Sequence, residues 1–430
     1  MEVTFNQQQN GILEFLFVPE DNDPLQYRGA KLRKTTCEVH LSSDWNIDKV
    51  HPDIMALVAI LIIYPFTGPK ITLPFGISRQ FHDLFKQTTK KDILPIDEAL
   101  KPRIAPIEST PSLAFSGGVD STAALLLLPS ETNHFFLDRI KPKDINISDL
   151  YKKEAAVFAC ESLKKEGKYV FMIKTDLEYI RDPVGFPVDV ANAIPALLYA
   201  DERGLDSISW GTTMQSTYRV GEVKYEDYMK RLHFRRWGKL FEIVGMPFHQ
   251  VTGGICDVGT SLIVMNSPYA HLARSCIRGT LKESCHNCWK CFRRGLLEKT
   301  LKGHFISNSE LDELFKINEA QYYLSKIPIP GENIISYITH HYKGDHVMMN
   351  VLKKRSRGDM LDVAWMEKWY SPSRLLLPDK YQSMVQQEIM KYLEIMSKED
   401  EQEAEHWNLE FLQNNETIHQ LSQQLKELFI

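Results

Sequence analysis

Apolar and polar positions alternate in short stretches over the first ninety residues. Ile12-Leu13-Glu14-Phe15-Leu16-Phe17-Val18 and Thr36-Cys37-Glu38-Val39-His40-Leu41 show a period near two, which predicts strands. The stretch 54–66 is almost wholly apolar and opens on Pro52-Asp53, so it predicts a buried helix over 52–66 packed on those strands. At about 13 residues it is short of the roughly 20 that a bilayer demands. Pro95, Pro102, Pro106 and Pro111 then punctuate a stretch without periodicity. Proline fixes φ and carries no N–H, so a connector is expected there.

From position 112 the pattern switches between strand-like and helix-like stretches. Strands are expected at 112–115, 134–137, 169–173 and 207–210, and helices at 121–128, 148–165 and 188–203. Such alternation implies a parallel sheet covered on both faces. Beyond about 300 the chain reads as mostly helical. Its polar end, 400–430, carries Trp407, Phe411, Leu421, Leu425 and Phe429 as an apolar stripe. That stripe predicts an amphipathic helix docked inside the protein or onto a partner. The expected organisation is a β-rich α+β domain at 1–92, a Pro-rich linker at 93–111, an α/β domain at 112–300 and a helical region at 301–430.

Composition narrows the function classes. With 430 residues, 43% hydrophobic and 25% charged, the chain is an ordinary globular sequence of multidomain length. A formal net charge of −5 argues against non-specific coating of nucleic acid. The first residues lack a basic segment followed by an apolar one, so no secretory leader or membrane span is expected, and the location is read as cytoplasmic. Seven cysteines, four of them close together, suit a reducing compartment and a metal site better than a disulfide framework.

The most informative segment is Phe115-Ser116-Gly117-Gly118-Val119-Asp120-Ser121-Thr122, where a short strand gives way to a helix. Glycines permit positive φ and close backbone approach, so successive N–H groups can converge on an anion at the positive end of the helix. Ser116 and Ser121 add hydroxyl donors, and Asp120 either holds Mg²⁺ or fixes the loop. There is no Gly-x-x-x-x-Gly-Lys-Ser/Thr string and no Gly-x-Gly-x-x-Gly after a strand, which removes the ordinary P-loop and dinucleotide readings. The second cluster is Cys276, Cys285, Cys288 and Cys291, with spacing C-x8-C-x2-C-x2-C. Thiolates so spaced can close a tetrahedron around a structural Zn²⁺, the preferred reading over an iron–sulfur cluster. Arg278, Lys282, Lys290, Arg293 and Arg294 surround the cysteines in sequence and are expected to offset the sulfur charge.

Ser-Gly-Gly-Val-Asp-Ser at 116–121 resembles the signature of the PP-loop ATP pyrophosphatases (N-type). With the four cysteines, the stretch from about 112 to 296 is similar to the 7-cyano-7-deazaguanine synthase branch of that family. The resemblance implies a Rossmann-like parallel sheet of the adenine nucleotide alpha-hydrolase type. It implies ATP with Mg²⁺, a pyrophosphate grip at Ser116, Gly117, Gly118, Val119, Asp120, Ser121 and Thr122, and a family glycine at Gly211. It further implies catalytic roles for Asp120, Ser116 and Arg219, with Tyr218 as a candidate substrate contact. The implied reaction adenylates a deazaguanine-like carboxylate, aminates it with ammonia or an amine to an amide or nitrile, and releases AMP and pyrophosphate. Two alternatives stand beside it: sulfur transfer onto a nucleobase, through a persulfide on Cys160 or Cys256 or through an iron–sulfur cluster, and a nucleotide-binding component of a larger complex, with antiviral defence as one context. The acceptor is a small molecule or a protein.

Weaker features complete the reading. Asp189 and Asn192, with Arg181 and Asp182, should lie near the sheet's carboxyl edge and are candidate substrate contacts. Lys230, Arg231, Arg235, Arg236 and Lys239, interleaved with Phe234 and Trp237, read as a solvated helix face before they read as a nucleic-acid surface. His340, His341 and His346 are expected in a solvated loop.

Overall fold

The computed structural model describes residues 1–142 and 152–429. The alternating N-terminal stretches form β1 (Glu2–Gln7), β2 (Ile12–Val18) and β5 (Thr36–His40), with a small hairpin of β3 (Gln26–Tyr27) and β4 (Ala30–Leu32) between them. Along β2, Leu13, Phe15 and Phe17 are buried while Leu16 and Val18 are exposed, as period two requires. Helix α1 (Pro52–Ile63) starts with proline at its first position, where a missing N–H costs nothing, and is buried from Asp53 onward. Asp53 is satisfied inside the core because Ser78 donates to it from both its N–H (2.8 Å) and its hydroxyl (2.6 Å).

β6 (Lys70–Ser78), α2 (Arg79–Thr89) and β7 (Asp92–Asp97) follow. β7 falls inside the stretch expected to be a linker. Pro95 fits there because β7 is the edge of the sheet, where a backbone without one donor is tolerated. The remainder of that stretch is held rather than slack. Buried Arg103 donates to the carbonyls of Ala200, Leu205, Val244 and Gly245 and to the Asp201 carboxylate.

The alternating region supplies β8 (Thr110–Ala114), α3 (Val119–Leu127), β9 (Asn133–Arg139), α4 (Glu154–Lys165) and β10 (Tyr169–Thr175). After the short β11 (Arg181–Asp182) come α5 (Ile194–Leu198), β12 (Leu205–Ser209), α6 (Met214–Thr217), α7 (Lys239–Ile243) and β13 (Phe248–His249). Positions 148–151 of the helix expected before β10 lie outside the described residues. The long helix expected at 188–203 is instead a single turn at Ala191–Ala193 followed by α5, because Pro195 cannot continue a helix that began earlier.

Ten strands form one sheet in the order β13-β12-β8-β9-β10-β5-β2-β1-β6-β7. The first five are parallel to one another. β10 meets β5 antiparallel, with Lys174 opposite His40, and the meander β5-β2-β1 is antiparallel before the parallel pairs β1-β6 and β6-β7. The stretches expected as an N-terminal unit and an α/β unit are therefore joined edge to edge. Leu13 and Phe15 of the former share a core with Phe135 and Leu197 of the latter. The fold is mixed α/β around a large, mostly parallel sheet.

The C-terminal region is helical, and its amphipathic end docks inside the protein. Helix Glu416–Glu427 lies on Val347–Arg355, and the wholly buried Arg355 bonds Ser422 (2.7 Å) and the equally buried Glu332 (2.9 Å). His340 and His341 are not in a loop: they close helix Glu332–His341. His346 is buried and bonds Asp312 at 3.0 Å. Among the described residues no helix is long and apolar enough to cross a membrane.

Candidate functional site

Within the parallel half of the sheet, β8 has β9 on one side and β12 on the other. The chain runs from β8 through α3 to β9, then returns past β8 to reach β12. Open α/β sheets bind ligands outside the carboxyl ends of strands at such a reversal. The glycine-rich turn follows β8 and Gly211 follows β12, so both sequence signals arrive at this point.

Gly117 takes φ +74°, a value that disfavours a side chain, and a Cβ there would lie 3.0 Å from the Ala156 backbone. Gly211 crosses the first turn of α3 so closely that a Cβ would sit 2.3 Å from the Ser121 nitrogen. Three N–H groups of the turn make only long bonds. Ser116 N–H donates to Ser121 Oγ at 3.3 Å, Gly118 N–H to Ser116 Oγ at 3.4 Å and Val119 N–H to Ser275 Oγ at 3.5 Å. Contacts this long are weak, so an anion can displace them and gain the dipole of α3. Thr122 is buried and caps the Gly118 carbonyl (2.9 Å), which makes it a support for the turn.

Asp120 leans across the turn onto two helices, α8 (Asp257–Met265) and α9 (Trp289–Leu301). Arg294 Nη2 donates to both of its oxygens at 2.8 Å, and Thr260 donates at 2.7 Å. Burial raises this carboxyl, but Arg294 more than offsets it, and the group titrates below the usual aspartate range. Of the two roles expected for Asp120, fixing the loop is the one its partners display.

Helix α9 links the turn to the cysteines. Cys288 caps it, accepting from Cys291 N–H at 3.4 Å, and Cys276 accepts from Cys285 N–H at 3.4 Å. The four sulfurs all lie within 4.8 Å of one another, with Cys285 and Cys291 3.7 Å apart. Thiolates around one tetrahedral zinc, at about 2.3 Å each, stand about 3.8 Å from one another, so the set fits a single ion such as zinc. The expected charge offset is only partly realised. Arg278 pairs with Glu319 beside the cluster, whereas Lys290, Arg293 and Arg294, at i, i+3 and i+4, form one face of α9 turned toward Asp120 and Asp257. Lys290 has no bonded partner among the described residues and opens onto the cavities around the turn. Desolvation in the cleft, then repulsion from Arg294 and Arg293, holds its amine below the usual lysine value, although Asp120 pulls the other way. The spacing from Cys288 could have revealed this basic face.

Two of the cavities that meet at the turn hold Ser116 in their walls. One of about 360 Å³ is lined by Ser116, Asp120, Asp189, Asn192, Tyr228, His233, Gln250 and Lys290, with Trp210 and Gly211 at the strand end. The other, about 170 Å³, is a slot between Phe135-Phe136-Leu137, Ala155-Ala156 and Phe186. Asp189 and Asn192 thus reach the site as expected. Asn192 accepts from Trp210 Nε1 at 2.8 Å, and Asp189 bonds His233 at 3.0 Å. Desolvation in the cleft raises the Asp189 carboxyl, and the His233 bond more than offsets it, leaving it below the usual range although the side chain stays largely exposed. His233, Tyr228 and Gln250 were not anticipated. They lie tens of residues from Asp189, and no local spacing unites them.

Several other candidates are placed elsewhere. Tyr218 is buried, stacked on Tyr225 at 5.4 Å and against Tyr370 at 5.1 Å, and lines neither cavity. Arg219 pairs with Glu222 and Glu226 outside both cavity walls. Arg181 bonds the carbonyls of its own loop, Pro183 and Phe186. Cys160 and Cys256 are fully buried, and burial pushes the Cys160 thiol up to about 12 and raises Cys256 as well. In the basic stretch, Arg231 bonds the Ser216 and Thr217 carbonyls, Arg236 lies over the Tyr64 ring and Trp237 is core. A family described as one of unknown function (DUF6395) matches residues 236–408, a span that holds the cysteines and α9 but not the glycine-rich turn. No curated protein and no solved structure matches the chain.

Proposed function

We propose that the protein is an ATP-dependent, AMP-forming enzyme of the PP-loop ATP pyrophosphatase type, built on a sheet of the adenine nucleotide alpha-hydrolase kind. The observation that carries this reading is the Ser116–Ser121 turn at the sheet's reversal point, facing a cavity with the unpartnered Lys290. The adenine ring takes the apolar slot beside Phe136, the polyphosphate lies on the turn, and the acid occupies the 360 Å³ cavity. A carboxylate oxygen of the acid bonds the α-phosphorus as the bond to the leaving pyrophosphate breaks. Ammonia or an amine then bonds the acyl carbon and AMP leaves, giving an amide. A second adenylation, of the amide oxygen, gives a nitrile.

The chain's own residues act by position and charge. Ser116, Gly118 and Ser121 bind the departing pyrophosphate, and Lys290 neutralises charge that grows on it. Arg294 holds Asp120 and so keeps the turn open, while the cysteine cluster fixes the start of α9 and thereby Lys290. Mg²⁺ would arrive on the ATP phosphates and would supply further charge neutralisation there, with Asp120 as the carboxylate available on the turn. Zinc at the four cysteines is structural, because all its positions are filled by sulfur. A deazaguanine-like acid is the substrate class.

The deciding assay is chromatography with mass spectrometry after incubation with ATP, Mg²⁺, ammonium and 7-carboxy-7-deazaguanine. AMP together with conversion of the acid to amide or nitrile is expected, both lost in Lys290→Ala. Absence of AMP with this acid, with other acids and with protein acceptors would overturn the reading. Sulfur transfer has less support, since Cys160 and Cys256 are buried and line neither of the two cavities described.

A further inference from the structure

The wall of the 360 Å³ cavity opposite the glycine-rich turn holds four side chains in one hydrogen-bonded line. Asp189 Oδ2 lies 3.0 Å from His233 Nε2, His233 Nδ1 lies 3.0 Å from Tyr228 Oη, and Gln250 Nε2 lies 3.3 Å from the same Oη. Tyr228 and Gln250 are 3% exposed, and the Gln250 Oε1 atom is buried with no partner among the described residues. All four residues line the cavity. Nothing in the turn, the slot or α9 uses them.

Donor and acceptor arithmetic assigns the protons. A carboxylate only accepts, so Nε2 carries a hydrogen toward Asp189. Neutral imidazole then has a bare Nδ1, which accepts from the Tyr228 hydroxyl, whose oxygen in turn accepts from the Gln250 amide. When His233 gains a proton, Nδ1 becomes a donor to Tyr228 Oη. The hydroxyl must then turn to another acceptor, and Gln250 Oε1, unused in the first state, is the atom that a rotation of the amide brings to it. The line is therefore fully bonded in either protonation state, at the cost of one amide rotation. Charged groups facing it are Asp189 from the loop before Ala191–Ala193, Arg231 over the Tyr228 ring at 5.8 Å, and Glu226 behind Arg231 at 3.7 Å. From β13 the neighbour is the apolar Phe248 ring.

We propose that Tyr228 and His233 form the proton acceptor for the nitrogen nucleophile of the amination step, with Asp189 and Gln250 as positioning residues. This rests on the reading given above under the proposed function. Ammonium or a primary alkylammonium enters the cavity protonated. One N–H proton passes to Tyr228 Oη as the tyrosine proton passes to His233 Nδ1, leaving imidazolium against Asp189. The freed nitrogen pair bonds the acyl carbon. As the carbon–oxygen bond to AMP breaks, the oxygen keeps that electron pair, and the nitrogen's second proton leaves to solvent.

The test compares wild type, His233→Asn and Tyr228→Phe in amide formation at limiting ammonium from pH 6.5 to 9.5, with histidine nitrogen NMR on the full chain. The expected loss near pH 7 is about 100-fold in kcat/KM for ammonium, in the range of general acid–base catalysis. Most of it should return at high pH, where ammonia is already deprotonated. Wild-type His233 should show a protonated Nε2 and a bare Nδ1 when neutral, with the Nδ1 signal moving in Tyr228→Phe. A pH-independent loss, or a neutral His233 protonated on Nδ1, overturns the proposal. If wild type makes no AMP, the ATP reading fails by itself, and the tautomer alone then decides whether this line accepts a proton at Nδ1.

Discussion

The two halves of the ten-stranded sheet treat polar groups in opposite ways. In the N-terminal half every deep polar group named is committed: Asp53 to Ser78, and the N-terminal amine to Glu20 and Asp23. α1 is buried along nearly its whole length. At the carboxyl edge of the parallel half, the N–H groups of Ser116, Gly118 and Val119 make only contacts of 3.3–3.5 Å, and among the described residues Lys290 has no partner and Gln250 Oε1 is idle. A fully paired interior adds stability, whereas uncommitted donors around a cavity cost stability and leave binding capacity free. The same sheet thus provides a closed scaffold at one end and an edge with uncommitted polar groups at the other.

Removing the metal should have the largest effect. Elemental analysis is expected to find one zinc-like ion per chain, and thiolate sites of this type are worth on the order of 10 kcal/mol in apparent binding. Chelation should release the start of α9, lower the thermal midpoint and abolish nucleotide binding together. A metal-free protein with unchanged melting would break the link drawn between the cysteines and the turn.

Next comes Arg103→Ala, which removes a donor from four carbonyls and the ion-pair partner of Asp201. A loss of about 3–5 kcal/mol in denaturant midpoint experiments is expected, with nucleotide affinity per folded molecule unchanged. If affinity fell as well, scaffold and site would not be separable.

The pH dependence of stability offers a third test in the closed half. Burial lowers Lys91 to about 8. The unfolded chain, with an ordinary lysine near pH 10.4, binds more protons between those values, so this residue makes stability rise as pH rises from about 8 toward 10. The wild type should gain about 2 kcal/mol over that window relative to Lys91→Met. Equal slopes in the two proteins would refute the assignment.

Gly211→Ala pushes a methyl into the Ser121 backbone and should cost about 1–3 kcal/mol by overpacking. Its larger signature is a distorted turn, read as weaker nucleotide binding by calorimetry. The smallest stability change belongs to Lys290→Ala, within about 0.5 kcal/mol of wild type because the side chain bonds nothing. Yet this variant should lose about tenfold in nucleotide affinity, or ~1.4 kcal/mol. A large stability loss here, or intact binding, would erase the contrast between the two halves.

Much of this was legible along the chain. Period-two stretches foretold β2 and β5, and the all-apolar run foretold α1. Alternation after residue 112 foretold the parallel strands, and residue types alone marked the glycine-rich turn and the four cysteines. These features depend on neighbours a few positions away, which a linear pattern records. Pro95 misled because proline forbids a central strand but not an edge, and edge position is a property of the whole sheet. Tyr218 and Arg219 follow Gly211 closely in sequence but turn into an aromatic core and a surface ion-pair set.

What only the tertiary structure decided follows from contacts between distant residues. The pairing of β5 with β10 joins two stretches that the sequence separates with a proline-rich segment, and long-range pairing leaves no local trace. The turn of α9 that takes Lys290 and Arg294 to Asp120, 170 residues or more away in the chain, depends on where the cysteines anchor the helix. The line from Asp189 through His233 and Tyr228 to Gln250 exists because a loop, a short helical segment and the end of β13 meet at one cavity wall. Residue types and local spacing determined which chemistry was present; packing determined which groups could act together.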